Sequence, residues 1–171
     1  MKLAYIIAHK NFRDEEYFIP KEVLEGVGIK VDTFSNKKGV AVGSEGGDVE
    51  AESIGKIKVN DYEGVILAGG QGALKYLDND DVYSLVNEFK QKGKLVSAIC
   101  ISPTILAKAG LLKDKKATVW SSNMDKSPIN TLEKERVQYV DKPVVSDGRI
   151  ITANGPEAVK NFAEKIVANL L

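Results

Sequence analysis

Apolar runs of strand length recur along the chain, and most of them stop abruptly at glycine or at polar residues. Three runs are continuous or nearly so, at residues 3–8, 64–68 and 95–99, which is typical of parallel strands that are covered on both faces. Weaker patterns predict further strands at 29–34, 116–120, 137–145 and 149–153, and a hairpin between 39 and 55. Residues 9–13 are expected to form a loop beyond the first strand.

Segments with helical periodicity separate these strands. Residues 81–92 and the segment that follows Pro156 each place apolar side chains on one stripe, and Asn154 or Gly155 is expected to cap the last helix. A helix is also predicted at 17–26, although Pro20 must then lie in its first turn or kink it. The alternation predicts a single α/β domain over residues 1–171, a three-layer sandwich with a mainly parallel sheet and helices on both faces.

Cys100 is the only cysteine in the chain, and it follows the third apolar run directly. Ser102 and Pro103 then begin a predicted helix, where proline is tolerated because the first turn does not need its N–H. A residue between a strand end and a helix start lies on a sharp turn at the carboxyl edge of a sheet, as in a nucleophile elbow. The N–H groups and dipole of the helix would favour a thiolate there. Unpaired cysteines are most often buried apolar residues, but this context makes Cys100 the candidate nucleophile.

Composition and charge exclude several kinds of partner. Lysine plus arginine balance aspartate plus glutamate at 24 each, so the charge indicates no nucleic acid and no acidic membrane surface. A single cysteine excludes an internal disulfide and a multi-cysteine metal site, and no cluster has metal-ligand spacing. No run approaches membrane-spanning length, and the N-terminus lacks a signal-peptide pattern. We expect a cytoplasmic protein.

The second apolar run ends at Gly69 and Gly70. The turn contains part of a nucleotide-binding fingerprint, but neither the full G-x-G-x-x-G nor a Walker lysine is present. Most glycine pairs form plain tight turns. Because this turn and Cys100 both belong to the carboxyl edge of the sheet, the N–H groups of Gly69, Gly70 and Ile101 are candidates for an oxyanion hole.

Three consecutive acids, Asp14, Glu15 and Glu16, precede the first predicted helix. Carboxylates at a helix start are usually solvated, and the residues alone do not single out one of the three. A carboxyl that turned inward beside the thiolate would have a raised pKa and would donate a hydrogen bond to the sulfur. His9 is the only histidine and lies at the same edge, although single histidines are more often structural than catalytic.

The motif Ala-Ile-Cys-Ile-Ser-Pro at 98–103 resembles the nucleophile segment of the ThiJ/PfpI superfamily, the family of the Parkinson-disease protein. The resemblance covers nearly the whole chain. It includes Glu16 four residues before Pro20, Leu-Ala-Gly-Gly at 67–70, and Asp-Gly at 147–148 followed by Thr-Ala-Asn-Gly-Pro at 152–156. It implies a flavodoxin-like, glutamine-amidotransferase-like fold.

The resemblance also assigns roles to residues. It implies that Cys100 is a strained, oxidation-prone nucleophile and that Glu16 is its protonated hydrogen-bond partner. The anion-binding site would be formed by Gly69, Gly70 and the N–H of Ile101. A homodimer without a cofactor is expected. We further consider three residues as possible members of the pocket: His9, Trp120 and Asn154.

At two positions the chain differs from the family pattern, and these differences narrow the range of functions that the resemblance implies. The peptidase-like branch of the family has histidine where this chain has Ile101, and another branch has histidine where Trp120 falls. Peptidase activity is therefore disfavoured, and two hypotheses remain. Cys100 adds to a small reactive carbonyl in glyoxalase or deglycase chemistry, with Glu16 moving protons. Alternatively, Cys100 is oxidised to a sulfinate in a non-catalytic redox-responsive or chaperone-like protein. Ile101 and Trp120 also make the pocket mouth more apolar than a small polar aldehyde requires.

Overall fold

Eleven strands and six helices are arranged in the order expected for an α/β fold. A computed structural model describes residues 1–171. The strands are β1 (Lys2–Ile7), β2 (Lys10–Phe12), β3 (Lys30–Ser35), β4 (Gly39–Gly43), β5 (Asp48–Ser53), β6 (Gly64–Leu67), β7 (Leu95–Ile99), β8 (Lys116–Ala117), β9 (Gln138–Tyr139), β10 (Val144–Asp147) and β11 (Ile150–Ala153). The helices are α1 (Asp14–Gly26), α2 (Gln71–Tyr76), α3 (Asp80–Gln91), α4 (Pro103–Lys108), α5 (Ser127–Lys134) and α6 (Val159–Leu170).

Nine strands form one sheet in the order β10-β11-β7-β6-β1-β3-β5-β4-β2. The five central strands are parallel to one another. Numbered along the chain, they lie in the order 2-1-3-4-5, which is that of the flavodoxin-like fold. The antiparallel pairs are β4 with β5 and β10 with β11. The order reverses between β1 and β6, and such a switch point is where open α/β sheets place their sites.

Helices cover both faces of the sheet, as predicted. Tyr17 of α1 and Phe162 of α6 are buried on one face. Phe89 of α3, Ile105 of α4 and Leu132 of α5 are buried on the other. Strands between two such layers bury both sets of side chains, which explains the nearly continuous apolar runs. None of the helices combines the length and the apolar character needed to cross a membrane.

Several predicted elements differ from the observed ones. Only Lys116–Ala117 of the run 116–120 is strand, and 137–145 is divided between β9 and the start of β10. β9 pairs with β8, whereas β10 joins the main sheet; Pro143, which cannot donate to a ladder, lies between them. The loop predicted at 9–13 contains β2. The helices α2 and α5 were not predicted, because six and eight residues are too few to show a clear period.

Candidate active site

Three loops meet at the carboxyl edge of the central sheet. The first leads from β1 through β2 into α1 and carries Glu16; the second follows β6 and carries Gly69; the third follows β7 and carries Cys100. The backbone N–H of Arg13 donates to the carbonyl of Gly69 over 3.1 Å, which joins the first loop to the second. The structure therefore brings these three segments together at one edge of the sheet.

Cys100 has a left-handed backbone conformation, with φ of 63°. This conformation is uncommon for a residue with a side chain, and it persists only where the surroundings impose it. The N–H of Cys100 donates to the carbonyl of Ala153 and its own carbonyl accepts from the N–H of Trp120, each over 2.9 Å. Bonds on both sides therefore hold the elbow. Ser102 and Pro103 begin the next helix as predicted, with proline in its first turn.

Glu16 is the acid that turns inward, since its side chain is fully buried. Its Oε2 accepts the N–H of Gly69 over 2.9 Å. Its Oε1 is buried without a hydrogen-bond partner, and the side chain of Cys100 is the neighbour whose hydrogen bond favours the Glu16 carboxylate. The resemblance had singled out this residue, whereas the residue pattern alone had not.

The backbone around Glu16 is held in an unusual way. Because α1 begins at Asp14, Pro20 lies in its interior rather than in the first turn. A proline there leaves the carbonyl four residues earlier without its helical N–H, and that carbonyl belongs to Glu16. The buried hydroxyl of Tyr5, on β1, donates to it instead. Tyr5 therefore replaces the missing backbone donor.

Because Gly69 has no side chain, the thiol of Cys100 and the carboxyl of Glu16 can approach each other. A Cβ at this position would lie 2.5 Å from both the Cβ of Cys100 and Oε2 of Glu16. Contacts that short do not occur, so a side chain at position 69 must push the pair apart. Glycine is required there because any side chain would prevent this close approach.

Burial raises the pKa of both members of the pair. For Glu16 the pKa rises from 4.5 to about 7, because burial disfavours the carboxylate more than the hydrogen bonds from Cys100 and Gly69 favour it. The pKa of the Cys100 thiol is also raised, first by burial and then by the neighbouring Glu16 charge. The N–H groups that were expected to favour the thiolate do lower this pKa, but burial outweighs them. The two side chains thus titrate as a coupled pair.

Two backbone N–H groups point at the sulfur, those of Gly70 and Ile101. The third predicted donor, Gly69, is not available to an anion in the pocket, because its N–H is directed to Glu16. The predicted oxyanion hole therefore loses one donor and keeps two. Two such donors suffice to stabilise negative charge on sulfur or on an oxygen attached to its carbon.

The pair lies at the floor of an open cleft of about 740 Å³. Arg13, Ser44, Glu45 and Gln71 are among its polar lining residues; Leu74, Ile101, Trp120 and Pro156 are its apolar ones. The carboxylate of Asp14 accepts the N–H groups of Glu45 and Gly47 over 2.9 and 2.8 Å, and so fixes the hairpin tip that forms one wall.

Not every predicted pocket residue belongs to the cleft. Trp120 lines it, but His9 lies in a separate hollow of about 290 Å³, where its backbone N–H donates to Asn36 Oδ1 over 2.9 Å. Asn154 lies outside the cleft lining, and its N–H donates to the carbonyl of Pro143 over 3.0 Å. Nor does Asn154 cap the last helix, since a short helical turn at Pro156–Ala158 precedes α6.

Some cleft residues come from distant segments and were not predicted from the sequence. Ser44 and Glu45 come from the tip of the β4–β5 hairpin, and Leu74 comes from the unpredicted helix α2. No pattern in the sequence around these residues predicts that they reach the cleft. The proline inside α1 was the one signal for Tyr5, because it implied an orphan carbonyl. No group of three or more His, Cys, Asp or Glu side chains is arranged to hold a metal ion.

Comparison with known proteins agrees with this geometry. The family model described as the DJ-1/PfpI family matches residues 1–169. An uncharacterised protein of Methanocaldococcus jannaschii is 42% identical over 97% of this chain and 80% of its own length. The deglycase PfpI of Pyrococcus furiosus is 29% identical over 91% of both chains. The crystal structure of a ThiJ/PfpI domain protein from Brachyspira murdochii superposes with a TM-score of 0.92 at 28% identity, over 99% of this chain and 95% of that one. The chain belongs to the DJ-1/PfpI family.

Proposed function

We propose that this protein is a cofactor-free enzyme that uses Cys100 to process small reactive carbonyls, in glyoxalase or deglycase chemistry. One observation carries the proposal. Glu16, whose pKa is about 7, is buried against the sulfur of Cys100 at the floor of an open cleft. A group that titrates near neutrality both gives and takes a proton efficiently at physiological pH. Relatives named as deglycases support the same chemistry.

The reaction begins with attack of the sulfur on the aldehyde carbon of a 2-oxoaldehyde. A carbon–sulfur bond forms as the thiol proton passes to the Glu16 carboxylate and from there to the carbonyl oxygen, while the N–H groups of Gly70 and Ile101 stabilise the charge. The Glu16 carboxylate then removes the hydrogen on that carbon as a proton and returns it to the neighbouring carbon, and the proton of the new hydroxyl moves to the oxygen of that neighbouring carbon. The product is a 2-hydroxy thioester, which water cleaves to a 2-hydroxy acid and the free thiol. No external oxidant or reductant is consumed.

The test is consumption of methylglyoxal by the native protein, Cys100→Ser and Glu16→Gln. We expect Cys100→Ser to be inactive and Glu16→Gln to lose about a hundredfold or more in kcat, the usual contribution of a positioned acid–base group. Glu22→Gln, an exposed acid of the same helix, is the matched control. Undiminished turnover by Cys100→Ser would contradict the proposal.

A second candidate function uses the same atoms without turnover. The cleft lining holds no histidine, so Glu16 is the acid–base group beside the sulfur, and its carboxyl proton and the two N–H groups also suit a cysteine sulfinate. Two equivalents of peroxide would oxidise the thiol through a sulfenic acid, with release of water at each step. Intact-mass analysis after mild peroxide distinguishes this role. A discrete gain of two oxygens that is absent in Cys100→Ser, together with no methylglyoxal consumption, favours it over the enzyme.

Peptidase activity is not part of the proposal. Ile101 follows the nucleophile, and the single histidine lies in a different hollow. Amide hydrolysis needs a base that also protonates the leaving amine. Family membership does lead us to expect a homodimer, and light scattering coupled to gel filtration tests it.

A further inference from the structure

The cleft is much larger than the reacting group it contains. Its volume of about 740 Å³ falls in the range of pockets that hold drug-sized ligands, roughly 300–1,000 Å³. A small aldehyde such as methylglyoxal would fill only a minor part of it. The residues that line the rest of the cleft therefore determine which substituents a substrate can have beyond its aldehyde group.

The strand order gives the cleft an apolar and a polar side. On the β11 side of the sulfur lie Trp120 and Pro156, and Ile101, next to Cys100 in the chain, also lines the cleft. On the β1 side lie Arg13 and the hairpin tip. Apolar side chains that line a concave site without being fully buried normally contact a ligand.

Trp120 is held in this position from two directions. Its backbone N–H donates to the carbonyl of Cys100 over 2.9 Å, so the main chain of Trp120 is attached to the elbow. A Cβ on Gly155 would lie 3.5 Å from Cδ1 of the indole, which places the ring against the backbone of the loop after β11. Leu74, 40% exposed, also lines the cleft.

We propose that the cleft selects carbonyl compounds with a large apolar substituent, preferably aromatic, which packs against Trp120 and Ile101 while the aldehyde carbon meets the sulfur. The inference rests on the proposed function and names its substrate class: 2-oxoaldehydes of the phenylglyoxal kind rather than methylglyoxal. The reaction steps are unchanged, and the product is the corresponding aryl 2-hydroxy acid.

The test compares matched thiol reagents, so that it does not depend on turnover. N-phenylmaleimide and N-methylmaleimide each add the sulfur to one carbon of the ring double bond and a proton to the other. The rate constant of N-phenylmaleimide with Cys100 is divided by that of N-methylmaleimide. This ratio is then divided by the same ratio measured with glutathione, which removes the intrinsic difference in reactivity between the two reagents. We expect a normalised ratio of about 10 for the native protein, equivalent to about 1.4 kcal/mol, and a ratio near 1 for Trp120→Ala.

Further variants separate packing from misfolding. Trp120→Phe should retain most of the preference, and Leu74→Ala should lower it about twofold without risk to the core. Val27→Ala, an exposed apolar residue at the far end of α1, should leave it unchanged. A normalised ratio near 1 in the native protein, or the same ratio in the native protein and Trp120→Ala, overturns the inference.

Turnover of phenylglyoxal and methylglyoxal is measured in parallel. Turnover of both with no preference for phenylglyoxal leaves the proposed function intact and contradicts the inference about the substrate class. If the protein turns over neither aldehyde, the proposed function is contradicted. If the maleimide preference is nevertheless present and depends on Trp120, the apolar selectivity of the cleft is still supported.

Discussion

The hydroxyl of Tyr5 donates to the backbone carbonyl of Glu16. This contact joins the first strand to the first turn of α1, at the residue whose side chain faces the nucleophile. Pro20 makes the contact necessary, because it removes the N–H that would otherwise bond this carbonyl. Tyr5 is thus a positioning residue for Glu16, and it does not line the cleft.

Tyr5→Phe should therefore lower both stability and thiol reactivity. Loss of the donor leaves a buried carbonyl without a partner, which costs about 1–3 kcal/mol, as measured by urea denaturation. Alkylation of Cys100 by iodoacetamide should slow, and its pH profile should shift. In the double variant Tyr5→Phe, Pro20→Ala, the new N–H of residue 20 replaces the hydroxyl, so both properties should recover. Equal losses in the single and the double variant would show that the contact has no such role.

The reactivity of Cys100 should depend on pH through the shared proton. Glu16 has a pKa of about 7, so above this pH the pair carries one negative charge and part of it lies on sulfur. The rate of alkylation should rise with a midpoint near pH 7 and then level off. Glu16→Gln should lose this step, because its thiol titrates alone and no longer has the neighbouring charge that raises its pKa. Its rate should keep rising above pH 7 and exceed the native rate about tenfold near pH 8. A Glu16→Gln profile that coincides with the native one contradicts the coupling.

Stability should also depend on pH at this site, with a defined sign. The pKa of Glu16 is about 7 in the folded protein and 4.5 as the reference for the unfolded chain. A raised pKa stabilises the folded state fully below about pH 4.5, and this contribution is lost as the pH rises through about 7. Relative to Glu16→Gln, the native protein should lose about 3 kcal/mol between these limits. Urea denaturation at about pH 5 and pH 8 measures the change, and Glu22→Gln, which keeps Glu16, should lose as much stability as the native protein.

Gly69→Ala should separate the acid from the nucleophile. The new Cβ would lie 2.5 Å from each side chain, so we expect a loss of about 1–3 kcal/mol in stability and loss of the step near pH 7 in the alkylation rate. Gly26→Ala is the matched control, since a Cβ there has nothing within 4 Å and alanine favours the helix by up to about 1 kcal/mol. If Gly69→Ala reacts at the native rate, the close approach of the pair is not needed.

The parts of the site that could be predicted from sequence are those with a local cause. Cys100 ends an apolar run and precedes a helix, and this short pattern was enough to predict the turn. Glu16 needed the resemblance, because three adjacent acids look alike until the helix face that each occupies is known. The family and the fold, also identified by resemblance, are confirmed.

The parts that could not be predicted depend on the partner that each group finds. Gly69 was expected to offer its N–H to the pocket, yet that N–H is directed to Glu16. Ser44 and Glu45 reach the cleft because β4 and β5 fold over the loop before α1, a pairing between segments far apart in sequence. His9 lies at the predicted edge of the sheet, but β2 follows it and directs the chain into a different hollow.

The peptide of Gly69 has a consequence for how the site tolerates motion. Its N–H holds the carboxyl of Glu16 and its carbonyl holds the N–H of Arg13, so α1 is attached at its start to the loop after β6. Cys100 follows β7, the neighbour of β6 in register. The distance between the Glu16 carboxyl and the Cys100 sulfur therefore depends on the spacing of two hydrogen-bonded strands, which is about 4.8 Å. The spacing of hydrogen-bonded strands varies very little, so small movements of the helices on the sheet do not change the distance between Glu16 and Cys100.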